Sequence, residues 1–197
     1  PPPPWSSLIS GSAQKQTGGG SGCPTLPPPL FIYTIYTSSL IRLTLMQLDQ
    51  NILTQLQGLF ANLKHQYTLV VDNAGDAKSE ELATMARDFA STSPQISAEV
   101  RPAEVLRLSI LRDGQATGIS FRAIPGGHEF TSLILAVLNA DGQGKNLPEE
   151  VFIRRIAALK TPLRLTTYAS LSCTNCPEVV QALNVMALYN EVLEHEM

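Results

Sequence analysis

The sequence predicts an α/β protein: a mixed sheet flanked by helices, followed by the beginning of a second, smaller α/β unit. Three observations predict it. From about residue 46 onward, apolar residues at helical spacing alternate with short β-branched runs. A helical segment separates the first two strand runs, which implies a crossover and hence a parallel pair. Asp113-Gly114 then divides two further apolar runs, the signature of a tight hairpin that adds antiparallel strands.

Taken in order, Asp49 stands as an N-cap before a helix in which Ile52, Leu53, Leu56, Leu59, Phe60 and Leu63 share one face. YTLVVD (67–72) reads as a buried strand. An amphipathic helix spans 78–92 through Leu82, Met85, Ala86 and Phe89. Ser79, Glu80 and Glu81 lie in its first turns, where the helix dipole favours negative charge. Strands follow over 96–100, 106–114 and 116–124. After Pro125-Gly126-Gly127 a helix runs from about His128 to Leu138 and ends near Asp141-Gly142. These elements make a first unit, 46–145, that contains no cysteine. The second, 146–197, has a helix at 149–159, a strand over 163–170, the sequence Cys173-Thr174-Asn175-Cys176, a helix at 177–189 and EVLEHEM opening another strand. A strand, a helix and one more strand do not close a core, so this unit is expected to be incomplete.

The first 45 residues differ in kind. PPPP, GGGSG at 18–22 and Pro27-Pro28-Pro29 cannot bury enough apolar surface to offset their ordering entropy. Residues 30–45 are apolar, yet too short and interrupted for a membrane span, with no basic leader or small-residue cleavage site. Folding information is therefore expected to begin near Met46, with 1–45 an extension outside the fold and a membrane anchor the minority reading. GGGSG has no strand before it and is not read as a phosphate loop. No G-x-G-x-x-G occurs in the sequence.

Composition narrows the function. A net charge of −3 gives no basic footprint, which sets nucleic acid aside. Three cysteines are too few for a secreted disulfide framework and leave one over. Cys23 lies in the Pro/Gly/Ser tract, whereas Cys173 and Cys176 are spaced C-x-x-C. In a reducing compartment that spacing means redox chemistry or metal more often than a structural staple, which favours the cytoplasm. Zinc needs four ligands, and only His195 follows the motif; Cys23 lies far off in the low-complexity tract.

A thiolate, not a thiol, attacks a disulfide, and an ordinary cysteine with a pKa of about 8.5 is mostly protonated at neutral pH. The start of a helix lowers that pKa, because unpaired backbone N–H groups stabilise the anion. Here a strand leads to Cys173 at a turn, and Pro177 marks the first turn of the next helix, where its missing N–H goes unneeded. Cys173 is thus the expected nucleophile. Cys176, three residues on, is the expected resolving thiol. Arg154 and Arg155 read as a solvated helix face, and His128 as a partly exposed residue at a helix start.

The run TTYASLSCTNCPEVVQALNVMALYN (166–190) resembles the N-terminal region of the flavoprotein component of alkyl hydroperoxide reductase. PGGHEFTSLILAVL (125–138) and MQLDQNILTQLQGLF (46–60) are similar to the same family's preceding helix and amino terminus, so the likeness spans about 46–197. The resemblance implies tandem thioredoxin-like folds, the first without cysteines and the second redox-active and here incomplete. It implies that Cys173 and Cys176 are the family's N-terminal redox pair, and that Glu129 is the acid the first fold lends to it. Without the resemblance, Glu129 reads as an ordinary first-turn acid. In such a family electrons pass from NAD(P)H to FAD, to a cysteine pair near the flavin, to the N-terminal pair and on to a peroxiredoxin subunit. This sequence lacks the flavin and nucleotide regions, so no cofactor is expected on it, and a homodimer is expected only through those missing domains. A docking module without turnover and an inactive fragment remain as alternatives to the relay.

Overall fold

The computed structural model describes residues 48–145 and 147–197; the readings placed on residues 1–45, including Cys23 and the anchor, lie outside them. Helix α1 (Gln50–Phe60) begins where Asp49 accepts a hydrogen bond from the Asn51 N–H, 2.8 Å away, which satisfies one orphan donor of the first turn. Strand β1 (Tyr67–Asn73), helix α2 (Ala77–Ala90) and strand β2 (Ile96–Pro102) follow. Asp76 caps α2 by accepting from Ser79 N–H at 2.7 Å. Strands β3 (Arg107–Arg112) and β4 (Gln115–Phe121) form the hairpin, with φ positive at both Asp113 and Gly114.

A 3₁₀ turn (Gly127–Glu129) leads into α3 (Phe130–Ala140). Then come α4 (Glu150–Ala157), β5 (Leu163–Thr166), α5 (Cys176–Leu188) and β6 (Leu193–Glu196). Two expectations need correcting. The strand expected over 163–170 stops at Thr166, because its partner β6 ends at Glu196 and only the Thr167 N–H bond to the Glu196 carbonyl continues the ladder. The helix expected from His128 opens as a 3₁₀ turn, so Glu129 precedes the α-helical ladder instead of lying within it.

The strands form one mixed sheet in the order β2-β1-β3-β4-β6-β5. The crossover pair β1–β2 is parallel and the hairpin pairs are antiparallel, as the sequence predicts. The strands of residues 146–197 extend this same sheet. β6 lies parallel to β4 through Ile119↔His195 and Ser120↔Glu196, and parallel to β5 on its other side. The core is built from Leu56 and Phe60 of α1, Leu82, Met85 and Phe89 of α2, Leu133 and Val137 of α3, and the inward residues Leu69, Leu108, Ile110 and Phe121 of the sheet. Each is essentially free of solvent, and burying a side chain of this size stabilises by roughly 1.5–3 kcal/mol. Helix α4 buries none of its side chains; Arg154 and Arg155 are exposed on it. No helix among the described residues is long and apolar enough to cross a membrane.

Two features hold β6 in place. Gly118, on β4, has φ +77°, and a Cβ there would lie 2.6 Å from the Leu193 carbonyl oxygen and 3.3 Å from the Ala187 Cβ. Only glycine permits both that backbone conformation and that approach. His195, on β6, is 1% exposed, with Nδ1 2.7 Å from Asn184 Oδ1 and Nε2 2.8 Å from Thr167 Oγ1. It joins β6, α5 and the segment after β5. Burial pushes its pKa down to about 4, so the ring is neutral at physiological pH.

Replacing Gly118 by Ala should destabilise the fold by about 2–4 kcal/mol, read as a lower urea midpoint. The unfolded chain binds the His195 proton near pH 6.5 and the folded chain only near pH 4. Because the unfolded state binds more protons in that window, stability should fall by about 3 kcal/mol as pH drops through it, and level off below it. His195→Gln should lose that slope, and urea titrations at stepped pH values would show it.

Candidate functional site

Cys173 and Cys176 are joined as a disulfide, their Cα atoms 5.5 Å apart, at the start of α5. Thr167 to Ser170 leave the sheet at the end of β5. The chain then turns, Cys173 N–H donating to the Ser170 carbonyl at 2.9 Å. Cys176 is the first residue of α5 and Pro177 the second, so the proline costs no helical hydrogen bond. Asn175, at the cap position, makes no side-chain capping bond. The Cys173 Sγ takes that place and accepts from the Cys176 N–H at 3.2 Å. Cys173 therefore lies one turn ahead of the α-helix, with its sulfur on a backbone donor of the first turn. Both cysteines are partly exposed.

Glu129 comes from more than forty residues earlier in the sequence and is 0% exposed. Its Oε2 accepts from Ser132 Oγ at 2.7 Å, and its Oε1 is buried without a hydrogen-bond partner. The turn that holds it is fixed against the segment leading to the disulfide. His128 N–H donates to the Leu171 carbonyl at 3.3 Å. Gly127 has φ +55°, and a Cβ there would stand 2.6 Å from that same carbonyl oxygen. His128 itself is exposed. Gln181, on α5, donates to Ser132 Oγ at 3.3 Å, so a second tie joins the acid's surroundings to the disulfide helix. Neither Ser132 nor Gln181 stands out in the sequence as a site residue. The available signal was the spacing of Ser132, three residues after Glu129, which lets a side chain reach back over one turn.

A cleft of about 500 Å³ opens beside the approach to Cys173, lined by Arg122, Thr167, Tyr168, Leu171 and Glu196 among others. Tyr168 is 95% exposed. The described residues contain no cluster of three or more metal-ligating side chains, and both ring nitrogens of His195 are engaged elsewhere. Nor does the start of α2 fit a dinucleotide. The N-terminus of α2, after the first parallel strand, is where a pyrophosphate would seat in such a crossover. There the Asp76 carboxylate already occupies the Ser79 N–H and would repel the phosphate charge.

Fold and site together define a disulfide-bearing protein of thioredoxin-like fold, a mixed sheet flanked by helices with a C-x-x-C pair leading into a helix. No protein-family model matches the chain. It is 37% identical over 155 residues to a Bacillus subtilis (strain 168) protein named NADH dehydrogenase, covering 77% of this chain and 30% of that one. It is 35% identical over 150 residues to the alkyl hydroperoxide reductase AhpF of Pseudomonas aeruginosa, covering 75% of this chain and 29% of that one. Among solved structures, the NTD_N/C domain of AhpF from Enterococcus faecalis (V583) superimposes with a TM-score of 0.67 at 32% identity. That match covers 76% of this chain and 79% of the other. The chain belongs to the AhpF family of alkyl hydroperoxide reductase components, and matches its N-terminal domain. It spans about 30% of the length of the curated relatives it matches. This homology supports a thiol–disulfide redox role.

Gly127→Ala should push the Leu171 carbonyl away and loosen the segment that places the Cys173 sulfur on its backbone donor. In the reduced protein, alkylation of Cys173 by iodoacetamide at neutral pH should slow several-fold, since less thiolate would be held.

Proposed function

We propose that this chain is a thiol–disulfide relay, which takes two electrons from a flavoprotein disulfide reductase core using FAD and NAD(P)H, and passes them to a peroxiredoxin in peroxide detoxification. The core lies outside this sequence. The observation that carries the reading is the partly exposed Cys173–Cys176 pair at the start of α5, with the Cys173 sulfur accepting the first helical N–H.

In the reduced state the Cys173 thiolate attacks a sulfur of the partner disulfide. A new S–S bond forms between them and the partner's second sulfur leaves as a thiolate, which is then protonated. The Cys176 thiol gives up its proton and attacks Cys173 Sγ. The mixed disulfide breaks, the partner's first sulfur departs with the bonding electron pair, and the Cys173–Cys176 disulfide forms. Two electrons have moved to the partner, whose disulfide is now a dithiol. Cys173 suits the first attack because the Cys176 N–H and the other donors of the helix start stabilise its anion. Glu129 is the proton donor and acceptor for these steps. The cleft beside Tyr168 and Leu171 gives a protein partner an apolar surface along the segment that leads to Cys173.

The test uses the chain reduced with dithiothreitol, freed of reductant and mixed with the disulfide form of the family's peroxiredoxin subunit. New thiols should form on the peroxiredoxin. Cys173→Ser should abolish transfer, and Cys176→Ser should accumulate the mixed disulfide on a non-reducing gel. Transfer surviving in the Cys173→Ser protein would overturn the relay.

A further inference from the structure

The geometry points to Ser132 and Gln181 as positioning residues for Glu129: they commit its Oε2 to a fixed hydrogen bond and leave Oε1 to carry the exchangeable proton. This inference rests on the relay reading above. Glu129 and Ser132 are both 0% exposed, Ser132 Oγ lies 2.7 Å from Glu129 Oε2, and Gln181 Nε2 lies 3.3 Å from the same hydroxyl.

A hydroxyl has one proton to donate. A carboxylate can only accept, so the Ser132 proton goes to Oε2, and Gln181 must then present N–H, not C=O, to the Ser132 oxygen. The polarity of the chain is therefore set from Gln181 to Ser132 to Glu129. A proton placed on Oε2 would force the Ser132 hydroxyl to turn round, whereas Oε1 can take it with the Ser132 bond intact, so the arrangement favours protonation on Oε1. That oxygen has no hydrogen-bond partner among the described residues. A proton there is not held by any acceptor among the described residues, which suits it for delivery to a sulfur.

When an S–S bond opens, the departing sulfur keeps the bonding pair and takes the Oε1 proton. The carboxylate left behind keeps its Ser132 donor. In the opposite direction a thiol gives its proton to Oε1 and the thiolate attacks. The link to Gln181 couples this to the disulfide, because Gln181 stands on α5 five residues beyond Cys176, while the Glu129 turn is bonded to Leu171, two residues before Cys173. The other titratable groups on the elements packed around Glu129 are His128 in the turn and Glu178 on α5, both exposed. Helix α3 carries none.

The experiment is the rate at which the reduced chain reacts with Ellman's reagent across neutral pH, in the parent and in Glu129→Gln, Ser132→Ala, Ser132→Thr and Gln181→Leu, with near-ultraviolet dichroism confirming the fold of each. Ser132→Ala and Gln181→Leu should slow the reaction, Ser132→Ala by about tenfold, and displace the pH profile in the direction that Glu129→Gln does. Ser132→Thr, which keeps the hydroxyl, should restore both. The double variant Ser132→Ala/Glu129→Gln should behave as Glu129→Gln alone, since one pathway is removed once. A parental profile in Ser132→Ala and Gln181→Leu beside a displaced one in Glu129→Gln would overturn the inference and leave the relay standing. A parental profile in Glu129→Gln would overturn it together with the role of the acid. Failure of the relay itself would show separately, as transfer persisting in Cys173→Ser.

Discussion

The parallel pairing of β6 against β4 is the constraint on which the rest of the structure depends. It makes the last 52 residues an extension of the first sheet, and it rests on very little chain: two register pairs, Ile119↔His195 and Ser120↔Glu196. So short a ladder needs support from the helix packed on it. Gly118 supplies part of it by letting the Leu193 carbonyl and α5 close on β4 without an intervening Cβ. His195 supplies more, as a neutral ring whose two nitrogens bind Asn184 of α5 and Thr167 beyond β5. A charged ring would be costly in that setting, and burial keeps it uncharged.

From that join comes the site. Once β6 and α5 are set against the first half, the 3₁₀ turn at Gly127–Glu129 meets the segment before Cys173 backbone to backbone. An acid and a disulfide more than forty residues apart in sequence are then supported by one set of hydrogen bonds. Burial of Glu129 with one oxygen bonded and the other unpartnered would be a net cost in a merely structural role. Such a group is tolerated where its proton is used, which is the physical basis of the proton role proposed for Glu129.

Much of this was legible in the chain. Asp49 as a cap, Asp113-Gly114 as a hairpin and the parallel β1–α2–β2 crossover are local consequences of side-chain chemistry and periodicity, and each stands where the sequence places it. The C-x-x-C spacing likewise carries its own geometry, since two thiols three residues apart at a helix start come within disulfide reach. The end of β5 was not legible. LRLTTYAS keeps strand-like composition to Ser170, but a strand lasts only as long as its partner, and β6 stops at Glu196.

By itself, then, the sequence determined the class of fold, the order of its elements and the cysteine pair that forms the disulfide, because those follow from patterns within a few residues of one another. The tertiary structure alone decided that Ser132 and Gln181 belong beside Glu129, that His195 is a neutral tie and no ligand, and that Gly118 and Gly127 are contact points. Each of those roles depends on a neighbour distant in sequence, and no local pattern encodes which backbone atom a missing Cβ makes room for.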